Sequence, residues 1–117
     1  MLRKWRNIWI IFKTMKYNKL IRDKIPEIME GKWVKFTSHI AENEEFWVKL
    51  KEKLQEEVNE VLEEDSVLIE ELVDTLEVIY AICDFKWISR EDLEKLRKEK
   101  QEKRWGFRDK IILDETD

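Results

Sequence analysis

The chain has 117 residues, of which 43% are hydrophobic and 43% are charged, and it contains only two glycines and one proline. This length fits one domain, and the scarcity of loop-forming residues favours amphipathic helices over a β-sandwich or barrel. Six tryptophans and five phenylalanines exclude a disordered polar chain. The formal net charge of −4 lacks the basic footprint of a nucleic-acid-binding protein. We therefore predict an all-α protein that binds no nucleic acid.

Residues 1–14 differ in charge from the rest of the chain. They carry four basic residues and no acidic one, so the remainder carries −8 (−4 minus +4). Trp5, Ile8, Trp9 and Phe12 recur there at helical spacing. Three interpretations stay open: a helix docked on the body or a partner subunit, a helix on an anionic membrane surface, or sequence upstream of a start at Met15. We assign residues 1–14 to an N-terminal extension and residues 15–117 to the domain.

Cysteine usage and hydropathy set the expected environment. The single cysteine, Cys83, excludes an intrachain disulfide, and its apolar neighbours predict a buried thiol. The apolar run near the N-terminus lacks a small-residue cleavage site, and no run reaches the ~18 apolar residues of a spanning helix. These features predict a cytoplasmic protein without a membrane partner.

Four helices follow one another in the predicted chain order. Pro26 marks the first turn of a short helix over residues 27–30, which Gly31 ends. Residues 32–40 alternate enough to predict a short extended segment. Two long helices are predicted over residues 43–64 and 67–84, and the second is apolar around most of its girth, as in the centre of a bundle. Ser89, with Asp92 three residues on, predicts the N-cap of a helix over residues 90–103.

Acidic residues interrupt the apolar seams of the two long helices. Positions 50, 54, 57 and 61 have the four-three-four spacing of a packed seam, and so do positions 67, 71, 74 and 78. Glu57 stands in the first seam, with Glu60 on the same flank, and Glu71 and Asp74 stand in the second. Because the connection between these helices is short, we expect antiparallel neighbours whose acids face one another. Glu52, Glu63 and Glu70 fit a solvated surface instead.

Four carboxylates held together need a compensating charge, since like charges raise one another's pKa. Oxygen ligands without cysteine or histidine select Mg²⁺, with Mn²⁺ or Ca²⁺ as alternatives, over zinc or copper. The pattern therefore predicts a divalent-cation site, and an antiparallel bundle of this small size favours assembly as a homodimer or a larger homo-oligomer.

Three elements of the chain resemble one known family. The run EEVNE at residues 56–60, followed by ELVD at residues 71–74, resembles the EExxE…ExxD pattern of the MazG-like all-α nucleotide pyrophosphatases. The run YNKLIRDKIP at residues 17–26 resembles the start of their phosphoribosyl-ATP pyrophosphatase-like branch, which includes house-cleaning nucleoside triphosphate (NTP) pyrophosphatases. Lys100 and the run KRWGF at residues 103–107 resemble its K…RGGF element, except that Trp105 replaces a glycine. The interval between Glu60 and Glu71 is short for the family.

The resemblance implies Mg²⁺-dependent cleavage between the α and β phosphates of a nucleoside triphosphate, which gives a monophosphate and pyrophosphate. It implies that the metal ligands are Glu57, Glu60, Glu71 and Asp74, and that Glu56 or one of these ligands orients the attacking water. Phosphate oxygens also need cationic donors. The candidates for this role are Lys19, Arg22, Lys24, Lys53, Lys100 and Arg104.

Two other functions stay open. One is a phosphoribosyl-ATP pyrophosphatase of histidine synthesis, which would share the metal site and differ in substrate. The other is a non-catalytic helical dimerisation module, in which the carboxylates are surface charge or hold a structural metal.

Overall fold

A computed structural model describes residues 16–63, 66 and 68–117. Within these ranges the chain is all-helical, with no strand, which confirms the predicted class for this part of the chain. The elements are α1 (Ile25–Gly31), α2 (Asn43–Glu63), α3 (Ile69–Phe85) and α4 (Arg90–Arg104). None of them is both long and apolar enough to cross a bilayer. The predicted N-terminal extension lies outside the described residues.

Local signals place most helix ends close to their predicted positions. Helix α1 begins two residues earlier than predicted, with Pro26 in its first turn, and ends at Gly31. The Ser89 Oγ accepts a hydrogen bond from the Asp92 backbone N–H at 3.0 Å, which confirms the predicted cap of α4. Residues 34–42 form neither helix nor strand.

Helices α2 and α3 fold back on one another as a helical hairpin, which is the main helix–helix contact among the described residues. Near the start of α2, the Trp47 ring stacks on Phe85 at the end of α3, with centroids 5.7 Å apart, and Phe46 meets the same ring edge-on at 5.3 Å. Leu50 on α2 and Val78 on α3 are buried, and Cys83 is buried as predicted. The open end of the hairpin is therefore closed by aromatic packing.

Only one face of α3 is covered within the single chain. The buried face carries Glu71, Asp74 and Val78. On the opposite side of the helix, about 180° away at 100° per residue, the exposed residues are Ile69, Leu72, Val73 and Leu76. The central position in a bundle that its apolar girth predicts is therefore not seen for α3 within the described single chain.

Helix α4 packs extensively on no other described helix. The Arg90 guanidinium lies over the Tyr80 ring, 4.1 Å from its centroid, and this contact anchors the start of α4 to α3. The remaining turns and the segment after them carry exposed apolar residues, including Leu96, Trp105 and Phe107.

Candidate functional site

Three carboxylates are buried where α2 and α3 pack together. The exposed fractions of Glu57, Glu71 and Asp74 are 2%, 4% and 5%. Acidic side chains are rarely so buried unless they are paired or coordinate a metal. The acids that interrupt the predicted seams therefore lie inside the hairpin, whereas Glu52, Glu63 and Glu70 are exposed.

The helical repeat explains this placement. Glu71 and Asp74 are three residues apart and so lie one turn apart on the same face of α3. Glu57 lies on the face of α2 that the hairpin covers, seven residues after the buried Leu50. Glu60, one turn after Glu57, is half-buried. Both helices thus direct carboxylates into the packed interior.

The basic segment before α1 bridges the two helices of the hairpin. Lys19 Nζ donates to Glu56 Oε1 on α2 at 3.0 Å, and Arg22 donates from Nη2 to Asp74 Oδ1 on α3 at 2.7 Å. The second contact is the shorter one, and its acceptor is the buried carboxylate of Asp74. Residues 19–22 therefore bring two cations to the carboxylates.

Lys53 supplies a third cation from within α2. Its Nζ lies 3.4 Å from Glu56 Oε2 and 3.5 Å from Glu57 Oε1, one helical turn further along α2. Only 14% of the Lys53 side chain is exposed, so its charge is partly shielded from water. Lys53 therefore stands between the half-buried and the fully buried glutamate of this turn.

The two lysines also set the ionisation of Glu56. Partial burial by itself would raise the pKa of Glu56, but hydrogen bonds and Coulombic attraction from Lys19 and Lys53 outweigh burial and lower that pKa below its ordinary value of 4.5. Glu56 is therefore ionised at neutral pH.

Five carboxylates and three cations of the described residues lie on or against the two hairpin helices. We define the acid cluster as Glu56, Glu57 and Glu60 of α2, Glu71 and Asp74 of α3, and the cations Lys19, Arg22 and Lys53, which pair with Glu56, Asp74 and Glu57. Hard carboxylate oxygens are the ligands that Mg²⁺ prefers, so the donor atoms of this cluster suit a divalent ion.

The chemistry of the acid cluster fits such an ion, but its present side-chain arrangement is not preformed for one. In the part of the chain that the structure describes, no three acidic, histidine or cysteine side chains converge on one point. Oxygens of Asp74 and Glu57 face Arg22 and Lys53 instead. Ion binding would therefore require rotation of these side chains within the hairpin.

Three predicted phosphate ligands lie away from the acid cluster. Lys24 occupies the N-cap position of α1 without a side-chain capping bond, and Lys100 and Arg104 lie on the exposed surface of α4; none of them pairs with a carboxylate of the cluster. The meeting of Lys19 and Lys53 at Glu56 was not predicted from the sequence. Residues 16–24 lack a regular repeat, so nothing in the sequence indicates where their side chains point.

No protein-family model matches the chain, and neither a curated protein nor a solved structure matches it significantly.

Proposed function

We propose that this protein is a Mg²⁺-dependent nucleoside triphosphate pyrophosphohydrolase that releases pyrophosphate and a nucleoside monophosphate. The proposal includes removal of non-canonical nucleotides as the cellular role, in the cytoplasm. It rests on the order of the three sequence elements that resemble the MazG-like family and on one structural observation. That observation is the burial of acids from both α2 and α3 beside Lys19, Arg22 and Lys53.

Each part of the acid cluster has a role in this proposal. Glu57, Glu60, Glu71 and Asp74 would hold Mg²⁺, with Mn²⁺ as a substitute, and the bound ion would neutralise the triphosphate and lower the pKa of water. Lys19, Arg22 and Lys53 would exchange their carboxylate partners for phosphate oxygens when substrate binds. Lys24, Lys100 and Arg104 would reach phosphate only if their segments move toward the hairpin.

The reaction is a displacement at the α phosphorus. The water oxygen bonds to phosphorus while the bond to the oxygen bridging the α and β phosphates breaks, and that electron pair leaves with pyrophosphate. Glu56 or Glu57 would accept a hydrogen bond from the attacking water, orient it, and take up the proton that the water releases as its oxygen bonds to phosphorus. Because the pKa of Glu56 is lowered, its carboxylate is ionised and able to accept that bond at neutral pH.

The test is pyrophosphate release from a panel of canonical, oxidised and deaminated nucleoside triphosphates in MgCl₂. We expect turnover with at least one of them, abolition of turnover by EDTA, and a loss of at least 100-fold in Glu57→Gln. Glu52→Gln is the matched control, because Glu52 lies on the same helix but is exposed and, among the described residues, pairs with Lys49 alone. It should retain wild-type turnover.

Two results would contradict the proposal in different ways. Turnover with phosphoribosyl-ATP alone would favour the histidine-synthesis enzyme, which uses the same carboxylates. No turnover with any of these substrates would favour the non-catalytic dimerisation module, for which the exposed apolar face of α3 is the supporting observation. We also propose that the hairpin is part of an antiparallel helix bundle and that the chain works as a homo-oligomer.

A further inference from the structure

The described part of the chain carries two exposed apolar surfaces. The first, here named the α3 patch, consists of large apolar side chains at the start of α3 that are 44–73% exposed: Leu68, Ile69, Leu72, Val73 and Leu76. The second belongs to the C-terminal arm, which we define as residues 90–113. Its apolar side chains beyond α4 are 76–97% exposed: Trp105, Phe107, Ile111, Ile112 and Leu113.

From these two surfaces we propose that the C-terminal arm of one copy of the chain covers the α3 patch of a second copy, in a symmetric arm-exchanged dimer. The inference rests on the proposal that the chain self-associates, and not on the proposed hydrolysis. By two-fold symmetry, each copy would contribute one arm and receive the other.

The apolar area involved is what a stable dimer requires. If an aliphatic side chain offers about 100 Å² and an aromatic one about 200 Å², the α3 patch exposes about 300 Å² and the arm about 550 Å² of apolar surface. Their sum of about 850 Å² per copy compares with about 800 Å² per partner in a standard interface, of which little more than half is apolar. A monomer would leave this whole area in water.

The charges around the two surfaces are complementary. Helix α3 carries five acidic residues and no basic one, and two of the exposed acids, Glu70 and Glu77, flank the α3 patch. Residues 95–110 of the arm carry eight basic and three acidic residues. Opposite charges along the rim of an apolar contact favour the matched orientation over alternatives.

The arm makes few contacts with its own hairpin. Arg90 rests on Tyr80 at the far end of α3 from the patch, and α4 then makes no extensive contact with the described helices. Helix α4 spans about 22 Å at 1.5 Å per residue, which is close to the length of α3. The arm is therefore long enough to reach along the α3 of a neighbouring copy.

The first experiment measures mass in solution by light scattering coupled to size exclusion. The full-length chain should give 29 kDa, twice its 14.5 kDa. Val73→Asp in the patch and Ile112→Asp in the arm should each shift the protein to 14.5 kDa at micromolar concentration. The matched controls are Val48→Asp and Ile40→Asp, which should stay dimeric. Val48 is about as exposed as Val73, Ile40 is more exposed than Ile112, and both lie outside the two surfaces.

The second experiment distinguishes exchange between copies from folding back within one copy. Leu76→Cys and Ile112→Cys chains, each in a Cys83→Ala background, are purified separately, mixed and oxidised. We expect a 29 kDa disulfide-linked product in the mixture. A third chain carries both Leu76→Cys and Ile112→Cys in the same background. If only this chain forms a disulfide, and the product stays at 14.5 kDa, the arm folds back on its own copy and the exchange is refuted.

The possible failures are separable. A monomeric wild-type chain would refute self-association together with the arm exchange. A dimer that survives both Val73→Asp and Ile112→Asp would refute the arm exchange and leave self-association through another surface. Pyrophosphate release by the wild-type chain reports on the proposed hydrolysis independently of either result.

Discussion

At the scale of single residues, Lys53 is a cation of α2 that compensates the charge of buried Glu57 on the same helix. It contacts both Glu56 and Glu57, and 14% of its side chain is exposed. Lys53→Met keeps the apolar stem and removes the charge, so buried Glu57 has one compensating cation fewer. We expect a loss of about 2–3 kcal/mol in the free energy of unfolding, measured in urea.

The chain offers a matched control for this substitution. Lys49 lies one turn earlier on α2 and pairs with exposed Glu52 at 3.0 Å. Lys49→Met should change stability by less than about 0.5 kcal/mol, as is usual for exposed pairs. Adding Glu57→Gln to Lys53→Met should restore most of the lost stability, because it removes the buried charge. Equal effects at positions 49 and 53 would contradict this account.

Glu56 gives a pH dependence of known sign. Its pKa is lowered in the folded state, so the ionised form stabilises the fold. That contribution is fully present above the ordinary value of 4.5 and is lost as the pH falls through the folded-state value. Wild type should therefore exceed Glu56→Gln in stability at pH 7, by less than about 1 kcal/mol. The difference should close as the pH falls below 4.5 in paired urea titrations; a difference that persists there would contradict it.

Residue-level prediction from the sequence succeeded where a periodic pattern exists. The four-three-four seams indicate that Glu57, Glu71 and Asp74 lie within the packed faces, and all three are buried. The carboxylate partners of Lys19 and Arg22 could not be predicted from the sequence. Their contacts join residues 37 and 52 positions apart, and the two cations lie in an irregular segment without helical or strand periodicity.

At the scale of the elements, the end of α4 stores backbone strain. Trp105 has φ 61° and ψ −165°, a region essentially limited to glycine. The resembled family branch usually has glycine at this position, and the indole replaces it here. A non-glycine residue in such a conformation costs about 1–3 kcal/mol.

The strain is tested by comparing two variants that both remove the indole. The free energy of unfolding of Trp105→Gly should be about 1 kcal/mol higher than that of Trp105→Ala, because glycine relieves the backbone strain. This relief outweighs the greater flexibility of glycine in the unfolded chain. At Gln101, inside α4, the order should reverse by about 1 kcal/mol, because glycine disfavours helix there. Thermal unfolding followed by circular dichroism measures both pairs. The same order at both positions would refute strain at Trp105.

Element positions followed from caps and periodicity, whereas the burial of α3 did not. The Ser89 cap and the ends of α2 and α3 lie within about two residues of their predicted places. The apolar girth of α3 predicted a central helix, yet its patch is exposed. A hydrophobic pattern records that a surface is to be covered, and it contains no information on whether the same chain or a second chain covers it.

At the scale of the whole molecule, the acid cluster couples the stability of the hairpin to the divalent ion proposed to bind there. Glu71→Gln removes one of the buried carboxylates that would hold that ion. In MgCl₂ the wild type should gain about 2.7 kcal/mol when Mg²⁺ is at 100 times its Kd, and Glu71→Gln should gain much less.

The neighbouring residue supplies the control for that comparison. Glu70 precedes Glu71 but is exposed, so Glu70→Gln should match wild type in both EDTA and MgCl₂. A Mg²⁺ response that survives in Glu71→Gln, or a wild type without any response, would contradict a divalent-cation site in the hairpin. Scanning fluorimetry over a MgCl₂ series measures all three proteins.

The contact between Arg22 and Asp74 has a consequence for the order of folding. The α2–α3 hairpin forms from residues close in sequence, whereas this pairing joins positions 52 residues apart. Local contacts close at a smaller entropic penalty and form earlier. The basic segment is synthesised before α3, so Arg22 can pair with Asp74 only after α3 has been made. We expect this pairing to form after the rate-limiting transition state of folding. Arg22→Ala should therefore accelerate unfolding and leave the refolding rate unchanged.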